Sequence, residues 1–152
     1  MSRADLEQYL EAAPVPLGLP APEVERRLGP AERVLAQDGH ATGFQYPARG
    51  VWIAIEQDAV SSVSFLTGAA ETGGARYAAA LPGGLSVSDS PARVAELYGP
   101  PDRSEEIALP RPPRARLVLA FYALRAPATL TFAHRTQAPE RIERIVLSRR
   151  GE

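Results

Sequence analysis

The chain contains no cysteine, no lysine and no asparagine. Without cysteine there is no disulfide framework and no thiolate metal site. Without lysine, the glycine stretches "TGG" and "PGG" have nothing to complete a phosphate-binding loop. Only two histidines are present, His40 and His134, and they do not stand at metal-ligand spacing. No metal or cofactor is therefore expected. No apolar run approaches the roughly 18 residues of a membrane span, so no membrane partner is expected. The stretch "MSRADLEQYLEAAP" carries Asp5, Glu7 and Glu11 where a secretory signal has an apolar core. The expectation is a cytoplasmic protein.

What is present fits a folded domain. Hydrophobic residues make up 45% of 152 residues, enough for one domain or two small halves sharing a core. All 17 basic residues are arginine, and with abundant Ala, Pro and Gly this points to a GC-rich bacterial genome. The net charge of −1 hides an asymmetry: residues 1–107 hold 8 Arg against 15 acids, and residues 108–152 hold 9 Arg against 3. Either these are solvated arginines on strand edges, or the surface is bipolar and orients a charged partner. Aromatics are not interleaved with the arginines, so no nucleic-acid partner is expected.

Two stretches repeat. "PEVERRLGPAER" from Pro22 and "ARVAELYGPPDR" from Ala92 align Val24 with Val94, Gly29 with Gly99, Pro30 with Pro100 and Arg33 with Arg103. Each reads as a short amphipathic helix with proline in its first turn, a glycine stop and a proline that forbids continuation. Asp89 or Ser90 caps the second. After each helix come strands: "ATGFQYP", "GVWIAIE" and "AVSSVSFL" in the first half, with "QDA" as a hairpin signal, and "RARLVLAFYAL", "ATLTFAH" and "RIERIVLSR" in the second. Matching Ile53 to Leu130, Ile55 to Phe132, Val63 to Ile145 and Phe65 to Leu147 gives an offset that grows from 70 to 77 to 82, the insertions falling in the loops "ALPRPPR" and "HRTQAPE". One such unit is too small to bury its sheet face alone. The expected fold is α+β: two tandem helix-plus-β-meander repeats forming one antiparallel sheet of about eight strands with helices on one face. Its parts are an N-terminal helix within 1–16, unit 1 over 17–80 and unit 2 over 81–152. Tyr77 to Leu81 in the linker reads as a short strand.

Strand alternation divides the residues between two faces. Val51, Ile53 and Ile55 should lie under the helices, and Trp52, the only tryptophan, on the opposite face with Glu56. Tyr46 should join it from the preceding strand. Taking Leu117, Leu119 and Phe121 as core places Tyr122 outward, and Arg144 lies beside it. The expected partner-binding set is Tyr46, Trp52, Glu56, Tyr122 and Arg144, since Tyr, Trp and Arg dominate interface energetics. The alternative is that Trp52 packs on a neighbouring strand or under the linker. No catalytic residue is expected. "SVSDS" lacks the G-x-S-x-G elbow, and the adjacent Glu105 and Glu106 would point to opposite faces of a strand.

The stretches "LGLPAPEVERRLGPAER" with "GVWIAIEQDAVSSVSFL", and "LPGGLSVSDSPARVAELYGPPDR" with "ATLTFAH" and "RIERIVLS", cover about residues 17–148. In tandem they resemble the fold shared by the β-lactamase inhibitor proteins and the SmpA/OmlA-type outer-membrane lipoproteins. They are more similar still to bacterial tandem-repeat proteins found beside secreted toxins, which include immunity proteins. The chain departs from these families in having neither a lipobox cysteine nor disulfides. The resemblance implies a non-catalytic inhibitor that neutralises a toxin effector encoded nearby by stoichiometric binding. Its alternative is an assembly or scaffold module of an envelope or secretion system.

Overall fold

The computed structural model describes residues 8–67, 77, 81, 85–87, 89–108, 116–124, 128–136 and 142–149. In chain order the elements are α1 (Tyr9–Ala12), α2 (Ala21–Leu28), β1 (Arg33–Gln37), β2 (His40–Tyr46), β3 (Val51–Glu56), β4 (Ala59–Leu66), α3 (Pro91–Tyr98), β5 (Arg103–Ala108), β6 (Arg116–Ala123), β7 (Ala128–Arg135) and β8 (Arg144–Arg149). The strands form one eight-stranded antiparallel sheet in the order β1-β2-β3-β4-β8-β7-β6-β5. The fold class is therefore α+β, as expected.

The helices start and stop where their residue types require. Pro22 and Pro91 occupy first-turn positions, where a missing N–H costs nothing. At α3 the Ser90 hydroxyl accepts from the Arg93 N–H at 3.2 Å. Both helices end on glycines at positive φ, Gly29 at 85° and Gly99 at 82°, a conformation that side chains resist. Each glycine carbonyl then accepts a buried tyrosine hydroxyl at 2.9 Å, Tyr46 onto Gly29 and Tyr122 onto Gly99.

The strands meet by short turns. Asp38–Gly39 and Gln57–Asp58 take left-handed conformations, as two-residue hairpins demand. Between β3 and β4 the register slips after Ala54, leaving Ser61 as the extra residue; its hydroxyl donates to the Ala54 carbonyl at 3.2 Å. At the seam Val63 faces Leu147 and Phe65 faces Ile145. Exchanging the halves at an offset of 82 maps that pairing onto itself, with Ser64 opposite Val146 at its centre. At the neighbouring strands the pairings that correspond lie 79 residues apart, where the sequence match expects 77. Val51 faces Phe65 where Leu130 faces Leu147, and Ile53 faces Val63 where Phe132 faces Ile145. The shift of two keeps every residue on its face, so alternation alone does not detect it.

One apolar cluster joins Val24 and Leu28 of α2, Val94 and Tyr98 of α3 and alternate strand residues including Ile53, Phe65, Phe132 and Leu147. Tyr9 of α1 is fully buried among them, edge-on to Phe65, Tyr98 and Phe132 at 6.2–6.3 Å. The expected N-terminal helix is described only from Tyr9 to Ala12; residues 1–7 lie outside the described residues. Of the expected linker strand, Tyr77 and Leu81 are described and are not strand, while residues 78–80 lie outside the described set. The sheet contains two strands absent from the sequence reading, β1 and β5, whose residues are all exposed and carry no alternation to read.

Tyr9 sets an alkaline limit. Its hydroxyl shares a hydrogen bond with that of Tyr98 at 3.1 Å. Burial, then the adjacent Tyr98, pushes its ionisation well above the ordinary 10.0. The unfolded chain therefore loses this proton first. The stabilisation is fully present below about pH 10 and is lost as pH climbs beyond it. Stability measured by urea unfolding is expected to fall above about pH 10, and less steeply in Tyr9→Phe. An unchanged slope in that variant would assign the fall to other tyrosines.

Candidate functional site

The residues that alternate with the core set form the second face of the sheet, here called the outer face. Its middle row is read from the strand pairs. Arg33 faces Gln45, Gln45 faces Trp52 and Trp52 faces Ser64 in the first half. Val146 faces Thr131, Thr131 faces Phe121 and Phe121 faces Arg103 in the second. Arginine thus stands at both ends, and an aromatic ring lies in each half. Beside this row lie Leu119 and Leu117, opposite Glu105 and Ile107 of β5. Trp52, Leu117, Leu119 and Phe121 are half-buried, and Ile107 is 40% exposed. Leu66 and Ala133 belong to this face by register and are buried outside the main apolar cluster.

Of the five expected site residues, Trp52, Glu56 and Arg144 lie on the outer face. Trp52 is half-buried, and Glu56 and Arg144 are exposed. Tyr46 and Tyr122 do not; contrary to expectation, both lie on the core face. Tyr46 faces Val51, not Trp52, and is 3% exposed. Tyr122 faces Leu130 and is 1% exposed. Both are anchored to the helix stops through their hydroxyls, which is why they turn inward. The phase of β6 is accordingly the reverse of the expected one. Tyr122 is core and Ala120 packs against it, while Leu117, Leu119 and Phe121 point outward.

The polar groups of the outer face divide into paired and unpaired. The Arg103 guanidinium lies over the Phe121 ring at 4.1 Å and donates to Glu105. Arg135 pairs with Glu143 at 2.8 Å. Arg33 and Arg144 have no ion-pair partner among the described residues. Trp52 Nε1 is buried and finds no acceptor, alone in this among the described buried side-chain nitrogens and oxygens. Glu105 and Glu106 do point to opposite faces. The first meets Arg103 and the second Arg116.

Neither histidine organises a reaction centre among the described residues. His40 Nδ1 lies 3.9 Å from Asp58 Oδ1, both largely exposed. They border a wide-mouthed hollow of about 400 Å³ that also touches Thr42, Glu56 and Gln57. His134 lies on β7 opposite Val118, and burial lowers its basicity. No three His, Asp or Glu side chains converge as a metal cage among the described residues, and no helix there is long and apolar enough to cross a membrane. Residues 109–114 of the loop "ALPRPPR" and 137–140 of "HRTQAPE" lie outside the described residues. Comparison with protein-family models, with curated proteins and with solved structures gives no match.

Proposed function

We propose that this chain is a stoichiometric, non-catalytic inhibitor of another protein, an immunity protein that occupies a cognate toxin effector in the cytoplasm. The observation that carries the reading is the outer face. A hydrogen-bonded eight-stranded sheet holds Trp52 in one half and Leu117, Leu119 and Phe121 in the other, all reachable from solvent. Large side chains fixed on a stiff sheet lose little entropy when a partner covers them. The partner-binding residues are then Trp52, Glu56 and Arg144, joined by Phe121 and Leu119. The toxin assignment rests on the resemblance of the repeated stretches.

Two observations favour reading units 17–80 and 81–152 as duplicates that meet at the β4–β8 seam. The tyrosine-to-glycine anchor occurs in each, and the seam register maps onto itself. The test of function is co-expression with the product of the neighbouring gene. The expected result is co-purification in equal amounts and an inhibition titration that ends at one equivalent. A neighbour belonging to an envelope or secretion assembly that binds without loss of activity would replace this reading with the scaffold alternative.

A further inference from the structure

On the outer face the guanidiniums of Arg33 and Arg144 are exposed and have no ion-pair partner among the described residues, and Trp52 stands between them with its indole N–H buried and without an acceptor. Strand order sets their spacing. Trp52 on β3 is two strands from Arg33 on β1 and two from Arg144 on β8. At about 4.8 Å per strand the cations flank the indole at about 10 Å on either side, and Arg144 is displaced by two residues along the strands. Both arginines are donors only. The acid that shares this face on β3, Glu56, stands four residues along the strand, about 13 Å away. Two other arginines of this face are paired among the described residues, Arg103 with Glu105 and Arg135 with Glu143.

We infer that the outer face is built for an acidic protein surface, one that lays an apolar patch on Trp52 and Val146 and presents carboxylates to Arg33 and Arg144. This rests on the reading of the outer face as the binding surface and adds the chemistry of the partner. Complementary charge at the margin of an apolar contact fixes register and rejects wrong partners. A nucleic-acid strand fits the same face poorly. It carries a charge at every nucleotide and needs a continuous basic track, whereas among the described residues of this face two unpaired cations stand about 20 Å apart. Between them lie Gln45, Trp52 and Ser64, and among the described residues Glu105 and Glu143 pair with Arg103 and Arg135 of the same face.

Trp52 is the only tryptophan, so its fluorescence and its single indole N–H resonance report this face alone. The probes are a short peptide of Glu, Leu and Phe, its twin with Gln for Glu, and single-stranded oligo-dT. The Glu peptide is expected to shift both signals and to bind at least about tenfold more tightly than the Gln twin, with salt weakening it. The double variant Arg33→Gln/Arg144→Gln is expected to lose that tenfold preference while its melting temperature is kept, since both side chains are exposed. Equal binding of the twins, an indifferent double variant, no binding of the Glu peptide up to its solubility, or tighter binding of oligo-dT would each overturn the inference. Its failure is separable from that of the functional reading. A neighbour-encoded protein that binds the double variant as well as the parent leaves the inhibitor standing and removes only the acidic surface. Peptide binding without a protein partner does the reverse.

Discussion

Replacing Tyr122 with alanine is expected to lower unfolding free energy by about 3–5 kcal/mol, the usual cost of deleting a buried aromatic ring. For a chain of this length that is a fall of about 6–20 °C in melting temperature. The size follows from what the ring touches. Tyr122 is 1% exposed, edge-on to Phe132 at 5.7 Å and to Tyr98 at 6.3 Å, and its hydroxyl closes the end of α3 by donating to Gly99. A cavity there would separate helix from sheet. The ring carries most of this, because Tyr122→Phe keeps the packing and loses one hydrogen bond, about 0.5–1.5 kcal/mol. The neighbouring Phe121→Ala is the control. Its ring is half-buried on the outer face beneath Arg103, so its loss should be well under half that of Tyr122→Ala. Equal losses in urea unfolding would mean that the two faces of β6 are assigned the wrong way round.

That strand shows why part of the site was illegible. "RLVLAFYA" is apolar on both alternations: Leu117, Leu119 and Phe121 on one, Val118, Ala120 and Tyr122 on the other. Period-two hydrophobicity has no phase when both sets are apolar. What selects the face is a distant partner, the carbonyl of Gly99 at the end of α3, which only the tyrosine can satisfy. A hint lay in the two Gly-Pro stops, each followed 17 or 23 residues on by a tyrosine, Tyr46 or Tyr122. In β2 the pair Phe44 and Tyr46 already alternates as a buried set, and both are buried. Where alternation is unambiguous the reading holds. "GVWIAIE" puts Val51, Ile53 and Ile55 in the core, at 2–4% exposure, and Trp52 on the far side. The helix stops were legible for a local reason: glycine at positive φ followed by proline leaves the chain no way to continue a helix. The edge strands β1 and β5 were not, because a strand exposed along its whole length has no burial pattern for its sequence to record. The unpaired donors of Arg33, Trp52 and Arg144 depend on what the neighbouring strands fail to supply, and no single stretch of sequence contains that.

Trp52→Ala is expected to weaken binding to the cognate partner by roughly 2–4 kcal/mol, about 30- to 1000-fold in affinity, while leaving the fold largely intact. The two halves of this expectation have separate causes. The indole is the largest rigid side chain on the outer face, and aromatic anchors carry a disproportionate share of interface energy. In the free protein it contributes less than its size suggests, because it is half-buried and its N–H is held away from water without an acceptor, a cost its removal cancels. Ile53→Ala, one residue along the same strand but 2% exposed, should behave oppositely, losing about 2–5 kcal/mol of stability through cavity formation. Trp52→Phe refines the test. It keeps a smaller aromatic ring and deletes the unsatisfied donor, so its losses of stability and of affinity should both be smaller than those of Trp52→Ala. Thermal melting and partner titration of all three variants decide the matter. If Trp52→Ala melts as badly as Ile53→Ala, the indole belongs to the structural core. If it melts normally and binds normally, the partner uses another surface and the outer face loses its anchor.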